Sequence, residues 1–238
     1  MASPKNPFRY FNSSPVVIRL TVLMYVRYPL SLRQVEELLA ERIESCHETV
    51  RFRWNRFGPM FAAEIKKKRI WAIRGFTQWR CHLDEVFVKI NGEQHCLWRA
   101  VDHEDEVLEA VATKTRDRKS ALKLLKRLLK RHRSPREIVT DKLRSYGAAM
   151  KELGLDRRHR NKGRHINNRA ENSHLPFRRR ERAMQRFRRR KTLQKFASVH
   201  AVPTNHFQQE RHLVSRKTYK QRRSEAFSEW RSIMENVG

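Results

Sequence analysis

The dipeptide Asn91-Gly92 sits between two runs, CHLDEVFVKI and EQHCLWRAVD, that are rich in β-branched and aromatic residues. No other feature restricts the fold of this chain as tightly. A two-residue hairpin turn needs positive φ at both central positions, which Asn and Gly tolerate, so Asn-Gly between such runs specifies a β-hairpin. Register then follows by counting: with Ile90 opposite Glu93, Asp84 faces Arg99 and Phe87 faces Cys96. A polar turn from His103 to Asp105 leads into VLEAVATK, which predicts a third strand and an antiparallel meander. The same register removes a tempting zinc site. Cys81-His82 and His95-Cys96 look like ligand pairs as text, but the two cysteines stand six strand positions apart, on the order of 20 Å. They read as small core residues beside chance histidines.

Beyond the meander the period changes. Asp117 can cap a helix whose Ala121, Leu122, Leu125, Leu128 and Leu129 form one apolar stripe, while Lys119, Lys123, Lys126, Arg127 and Lys130 add only to the surface field. Pro135 breaks that pattern, and REIVTD reads as a short strand ending at Asp141. A strand reached through a crossover helix should run parallel to a meander strand. A helix over about 143–153 then ends at Gly154, and a basic strand or loop from Asp156 to His165 follows. Asn167 or Asn168 can cap a last helix bearing Glu171, with a break predicted at Pro176. The order β-β-β-α-β-α-(strand or loop)-α predicts an α/β protein with a mixed, ribonuclease-H-like sheet flanked by helices.

The amino-terminal quarter is all-α in pattern. Residues 1–14 read as a flexible arm, and 15–28 as a buried helix ended by Pro29. Ser31 caps a helix carrying Leu32, Val35, Leu38 and Leu39, and Ser45 with Glu48 makes a capping box about three residues later. The helix after it would turn Val50, Trp54 and Phe57 inward and Arg51, Arg53 and Arg56 outward. Residues 15–60 therefore read as a small helix-turn-helix DNA-binding region whose second helix suits a major groove. Residues 61–78 are then a connector, 79–200 the core, and 201–238 a basic helical tail fastened by Phe227 and Trp230.

Charge narrows the function. Lys plus Arg number 54 against 25 acidic residues, a net +29, which favours a nucleic-acid partner. No apolar run approaches the roughly 18 residues of a membrane span, and PVVIRLTVLMYV is interrupted by Arg19 with no cleavage pattern beside it. Three cysteines without CxxC spacing suggest a reduced, cytoplasmic compartment. Against this basic background three separated acids stand out: Asp84, Asp141 and Glu171. Each alone reads as a cap or an ion-pair partner; together in this fold order they suit hard divalent cations, two Mg²⁺ or Mn²⁺. Glu85, by strand alternation, points to the other face and is the weaker candidate. Asp102 is structural. The run FRRRERAMQRFRRRK, anchored by Met184, Phe187 and Phe196, places Arg178, Arg179, Arg180, Arg188, Arg189 and Arg190 for phosphate contacts; the bland alternative is a solvated basic face.

Several blocks carry a resemblance: PLSLRQVEELLAER, SCHETVR, WRCHLDEVFVKINGEQHCLWRAVD, IVTDKLRSYGAAMKELG, NNRAENSHLPFRRRERAMQRF, KTLQKF and TNHFQQERHL. Together they resemble bacterial insertion-sequence transposases of the DDE class, in a family of small replicative, cointegrate-forming elements with an integrase-like catalytic core. The resemblance implies that Asp84 bridges two metal ions with Asp141 and Glu171 holding one each, and that Arg178 is a basic residue near DNA. Lys142 and Arg169, beside the second and third acids, join the expected DNA contacts. It implies water-driven 3′-end cleavage at terminal inverted repeats, then attack of the freed 3′-OH on target DNA, by at least a dimer, in a bacterial, nucleoid-associated cytoplasm. Two departures from the family pattern are visible: no glycine precedes Ile43 in the helix-helix turn, and only 29 residues separate Asp141 from Glu171. A catalytically inactive DNA-binding protein or a nuclease on the same scaffold are the competing expectations.

Overall fold

A computed structural model describes residues 6–73, 79–132, 134–141, 143–160, 168–184, 187–207 and 214–233, the side chains of 69–73 and 168–172 excepted. The chain forms two compact units, Lys68–Ala201 and Met1–Lys67 with Val202–Gly238. The carboxyl-terminal stretch expected as a separate tail is thus part of the amino-terminal unit.

In the unit Lys68–Ala201, strands β1 (Arg80–Ile90), β2 (Glu93–Val101) and β3 (Val107–Thr113) form the antiparallel meander. Asn91 and Gly92 take φ of 51° and 84°, and the register is as counted: Ile90 opposite Glu93, Asp84 opposite Arg99, Phe87 opposite Cys96. After helix α4 (Arg118–Arg131), strand β4 (Glu137–Thr140) pairs parallel to β1. Helix α5 (Arg144–Glu152) leads to the two-residue strand β5 (His159–Arg160), parallel to β4. The order β3-β2-β1-β4-β5 is that of a ribonuclease-H-like mixed sheet.

One face of the sheet is dry. Cys81 and Leu83 of β1 and Cys96, Trp98 and Ala100 of β2 pack with Ala121, Leu124, Leu125 and Leu128 of α4 and with Tyr146, Ala149 and Met150 of α5. The α4 stripe includes Leu124, fully buried, while Leu122 and Leu129 are only partly covered. Asp117 caps α4 by accepting from Ser120 N at 2.8 Å. Burial pushes the Cys96 thiol up to about 12.

Helix α6 (Asn168–Ala183) and the first part of helix α7 (Arg190–Phe207) pack in the same unit through Phe177, Phe187, Phe196 and His200. The break predicted at Pro176 does not occur; α6 runs through it. Proline in a helix interior costs about 3 kcal/mol, and Phe177, buried against Phe187 and Phe196, offsets it. Burial, with Arg99 and Arg180 nearby, holds His200 down at about 3. A histidine with a depressed folded value stabilises the fold fully above its unfolded value of about 6.5 and loses that contribution as the pH falls. In denaturant titrations between pH 6.5 and 4, His200→Phe should therefore show a weaker acid destabilisation than the parent, by up to ~1.4 kcal/mol per pH unit. Equal slopes would contradict a buried neutral imidazole.

The other unit contains α1 (Pro15–Arg27), α2 (Leu32–Ala40), the amino-terminal part of α3 (His47–Ile73), the end of α7 and α8 (Arg216–Arg231). Ser31 caps α2 in a full capping box with Gln34. The box predicted at Ser45 and Glu48 is absent: α3 starts at His47, with six residues between it and Ala40, and Cys46 O receives the first helical bond from Val50 N. Nor does Gly58-Pro59 end α3. Trp54, Phe57, Phe61, Ala62 and Ile65 continue one buried stripe past the proline, and Phe61 meets Trp230 of α8 edge-on at 5.9 Å. The stretch 61–73 is thus helical rather than a connector. Among the described residues no helix is long and apolar enough to cross a membrane.

Candidate functional site

Three carboxylates meet where β4 stops. Oxygens of Asp84, Glu85 and Asp141 all lie within 4.8 Å of one another. Thr140, the last residue of β4, stands beside Leu83, so Asp141 arrives next to Asp84. Its carboxylate is fixed there by accepting from Leu143 N at 3.0 Å, an Asx turn that starts α5. Glu85 follows strand alternation: like Cys81 and Leu83 it lies on the face covered by α4 and α5, where Tyr146 meets it, whereas Asp84 faces His174 of α6. Where β4 ends, Asp141 comes within reach of both side chains.

The two neighbours are nevertheless held differently. Asp84 accepts from Glu85 N at 2.9 Å, and its other oxygen lies 3.8 Å from Nε2 of His174 on α6. Opposite it on β2, buried Arg99 donates to Ser173 O at 2.7 Å, tying the sheet to α6. Burial draws Arg99 down to about 10 despite the charge of Asp84. Burial, with Arg99 and Arg178, holds His174 down at about 3, so it is a neutral imidazole at pH 7 rather than an ion-pair partner. Glu85 faces the apolar side, with its side chain only 2% exposed. Tyr146 Oη donates to it at 3.1 Å, and Arg116 pairs with its other oxygen. Burial first, then Asp141, raises Glu85 above the usual carboxylate range in spite of Arg116. Arg116 also lies 3.5 Å from Asp141, and against its own desolvation the two acids hold it above the ordinary arginine value.

The third predicted acid, Glu171, belongs to α6, one turn before His174; its side chain lies outside the described residues, as does that of Arg169. Lys142 is also outside them. The predicted DNA-contacting arginines divide. Arg179, Arg188, Arg189 and Arg190 are exposed. Arg178 donates to Phe87 O and pairs with Glu181, both at 2.6 Å. Arg180 is corrected: it is 1% exposed and lies over the Phe196 ring at 5.8 Å, not at the surface. In the other unit Arg51 is exposed but paired with Glu48 at 2.6 Å, and Arg56 is exposed beside Phe11. Arg53 is also corrected. It is buried and donates to Thr21, Ser13 and Ser45. Three residues from Val50 and four from Phe57, it shares their inward face, a signal the helical spacing carried all along.

The sequence underrated one acid and missed the groups around it. Glu85 lies on the face that alternation assigned to it, yet one of its oxygens comes within 4.8 Å of those of the two aspartates. Arg116 stands in no motif, Tyr146 and His174 sit in the quoted blocks without a role assigned to them, and only the assembled sheet brings the three to the carboxylates.

A protein-family profile described as DDE domain matches residues 78–210. The transposase for insertion sequence-like element IS431mec of Staphylococcus aureus is 35% identical over 149 residues, which is 62% of this chain and 64% of that protein. The transposase for insertion sequence element IS257 in transposon Tn4003, also from Staphylococcus aureus, is 34% identical over the same shares. The match thus spans just under two thirds of the length of these relatives. A chain in the cryo-electron microscopy structure of the simian T-cell lymphotropic virus intasome aligns with a TM-score of 0.41 at 13% identity, covering 76% of this chain and 65% of that one. That similarity is too slight to bear on the fold.

Proposed function

We propose that this chain, which belongs to the DDE-domain family of insertion-sequence transposases, binds the terminal inverted repeats of its element, cuts their 3′ ends and joins them to target DNA. The observation that carries the reading is the meeting of Asp84, Glu85 and Asp141 within 4.8 Å at the end of β4, on a chain of net charge +29. The donor set fits a divalent cation: clustered carboxylate oxygens, of which only Glu85 and Asp141 are shared with the guanidinium of Arg116. Asp84, Asp141 and Glu171 would hold two Mg²⁺, with Mn²⁺ as a substitute. When bound, such a pair activates an attacking oxygen and stabilises the leaving one.

The remaining work belongs to the chain. Tyr146 and Arg116 hold Glu85, and the Asx turn holds Asp141, so the carboxylates are ordered before any ligand arrives. Neutral His174 and the Arg99–Ser173 bond set α6 against Asp84 without placing a net charge on the histidine. Exposed Arg179, with Lys142 and Arg169, takes phosphates near the acids, and Arg188 and Arg189 take them further along the duplex, at the hairpin end where Asn91 donates to Arg188 O. Arg51 and Arg56 of α3 serve the helix-turn-helix contact. Two ends must be held together for joining, so the working form is at least a dimer.

A labelled repeat end, a target plasmid and Mg²⁺ test this directly. Joined product that disappears with chelator supports the reading. Cleavage without joining indicates a nuclease, and binding without either indicates an inactive DNA-binding protein. Arg116 gives a separate prediction. Opposite unit charges about 4 Å apart attract by up to ~4 kcal/mol at an effective dielectric of 20. Removing this competing cation in Arg116→Gln should therefore tighten Mn²⁺ binding, read by electron paramagnetic resonance, by about tenfold or more. Weaker binding would mean that Arg116 organises the acids rather than competing for them.

A further inference from the structure

A second charged feature of the unit Lys68–Ala201 uses none of the acidic-site residues. Helices α4 and α7 flank a groove of roughly 860 Å³ floored by Ala112 of β3. Lys123, Lys126 and Arg127 line it from α4, Arg190 and Lys191 from α7, and among the described residues no carboxylate or aromatic side chain contributes to the lining. On each helix the lining positions recur at three- and four-residue spacing, so each wall is a single stripe.

The groove is held open by a specific device. Gln194 of α7 accepts from Ala112 N and donates to Ala110 O, both at 2.8 Å, so its side-chain amide completes the ladder of edge strand β3. This fixes α7 along the sheet edge and sets the distance between the basic walls. The acids nearby are used elsewhere: Arg118 and Arg131 of α4 pair with Glu152 and Glu109. Among the described residues, Lys123, Lys126, Arg127, Arg190 and Lys191 make no ion pair. Two facing rows of like charge on a pre-set groove repel one another unless a polyanion lies between them. A line of cations without aromatic platforms suits a duplex backbone rather than a single strand, whose bases need stacking surfaces.

We propose that the α4–α7 groove is a second duplex-DNA surface, distinct from the acidic site, that grips phosphates without reading bases. The inference rests on the reading that the chain handles DNA. Sequence alone gave these α4 cations no role beyond the surface field; the groove assigns them one.

The test uses the full chain and a fluorescent duplex of arbitrary sequence, with anisotropy measured over a series of KCl concentrations. One variant carries Lys123→Gln, Lys126→Gln, Arg127→Gln, Arg190→Gln and Lys191→Gln. A control carries Arg216→Gln, Lys217→Gln, Lys220→Gln, Arg222→Gln and Arg223→Gln on α8. Each lost phosphate contact should flatten the slope of log K against log salt by about 0.9. The groove variant is expected to lose about three to five units of slope and the control less than one, both with parental melting temperatures. An unchanged slope in the groove variant, or an equal loss in the control, overturns the groove while leaving the DNA reading intact. A parent chain that binds no duplex at all overturns that reading as well.

Discussion

Asp84→Asn and Asp141→Asn should each abolish cleavage and joining, lowering the rate by at least about 10³-fold, while duplex binding stays within a fewfold of the parent. The argument is one of charge rather than shape. Asparagine fills the space of aspartate and keeps one acceptor oxygen, so the Glu85 N bond to residue 84 and the Leu143 N bond to residue 141 can persist. What disappears is one negative charge from a cluster already shared with Arg116. A hard cation that must give up water for carboxylate oxygens loses most of its attraction to such a site. Glu85→Gln separates the two roles. If Glu85 only anchors Arg116 and Tyr146, its loss should cost far less activity than that of either aspartate; equal losses would make it a ligand. Quantified end-joining with purified variants, alongside anisotropy for binding, reads both results.

Trp98→Ala is expected to lower the unfolding free energy by about 3–5 kcal/mol, a large share of the ~5–15 kcal/mol a domain possesses. Trp98 is fully buried at the centre of the cluster formed by β1, β2, α4 and α5. Its indole N–H donates to Thr113 Oγ1 at 2.8 Å, and its ring meets Tyr146 edge-on at 5.3 Å. Truncation leaves a cavity, removes a bond from a buried hydroxyl and withdraws the wall behind Tyr146. Since Tyr146 holds Glu85, activity should fall even below the unfolding temperature. Urea unfolding followed by circular dichroism measures the first effect. A cost under about 1 kcal/mol would mean that the site collapses to fill the space.

The parts of this fold that were legible in the sequence are those set by local rules. Asn91-Gly92 fixed the hairpin register to the residue, and from it came the pairing of Asp84 with Arg99. Asp141 was placed at a strand end because the β-branched run stops there. The connector expected from residue 61 and the helix break predicted at Pro176 failed for a common reason: buried aromatic residues beyond Pro59 and Pro176 outweigh the hydrogen bond each proline removes. Arg53 and Arg180 were misjudged because charge was read as a sign of exposure, although Arg53 occupies an inward helical position and Arg180 lies under Phe196. Glu85 obeys the period-two rule, but its closeness to Asp141 is set by where β4 ends, which the alternation of β1 alone does not report. The resemblance to transposases supplied roles for Asp84, Asp141 and Glu171 that spacing alone does not supply.

The most direct measurement is a crystal of the full chain soaked in Mn²⁺ and examined for anomalous scattering. The account predicts a peak about 2.2 Å from carboxylate oxygens of Asp84 and Asp141, with Glu171 completing the ligand set and Arg116 displaced from Asp141. No peak at saturating Mn²⁺, with Arg116 still spanning Glu85 and Asp141, would contradict it.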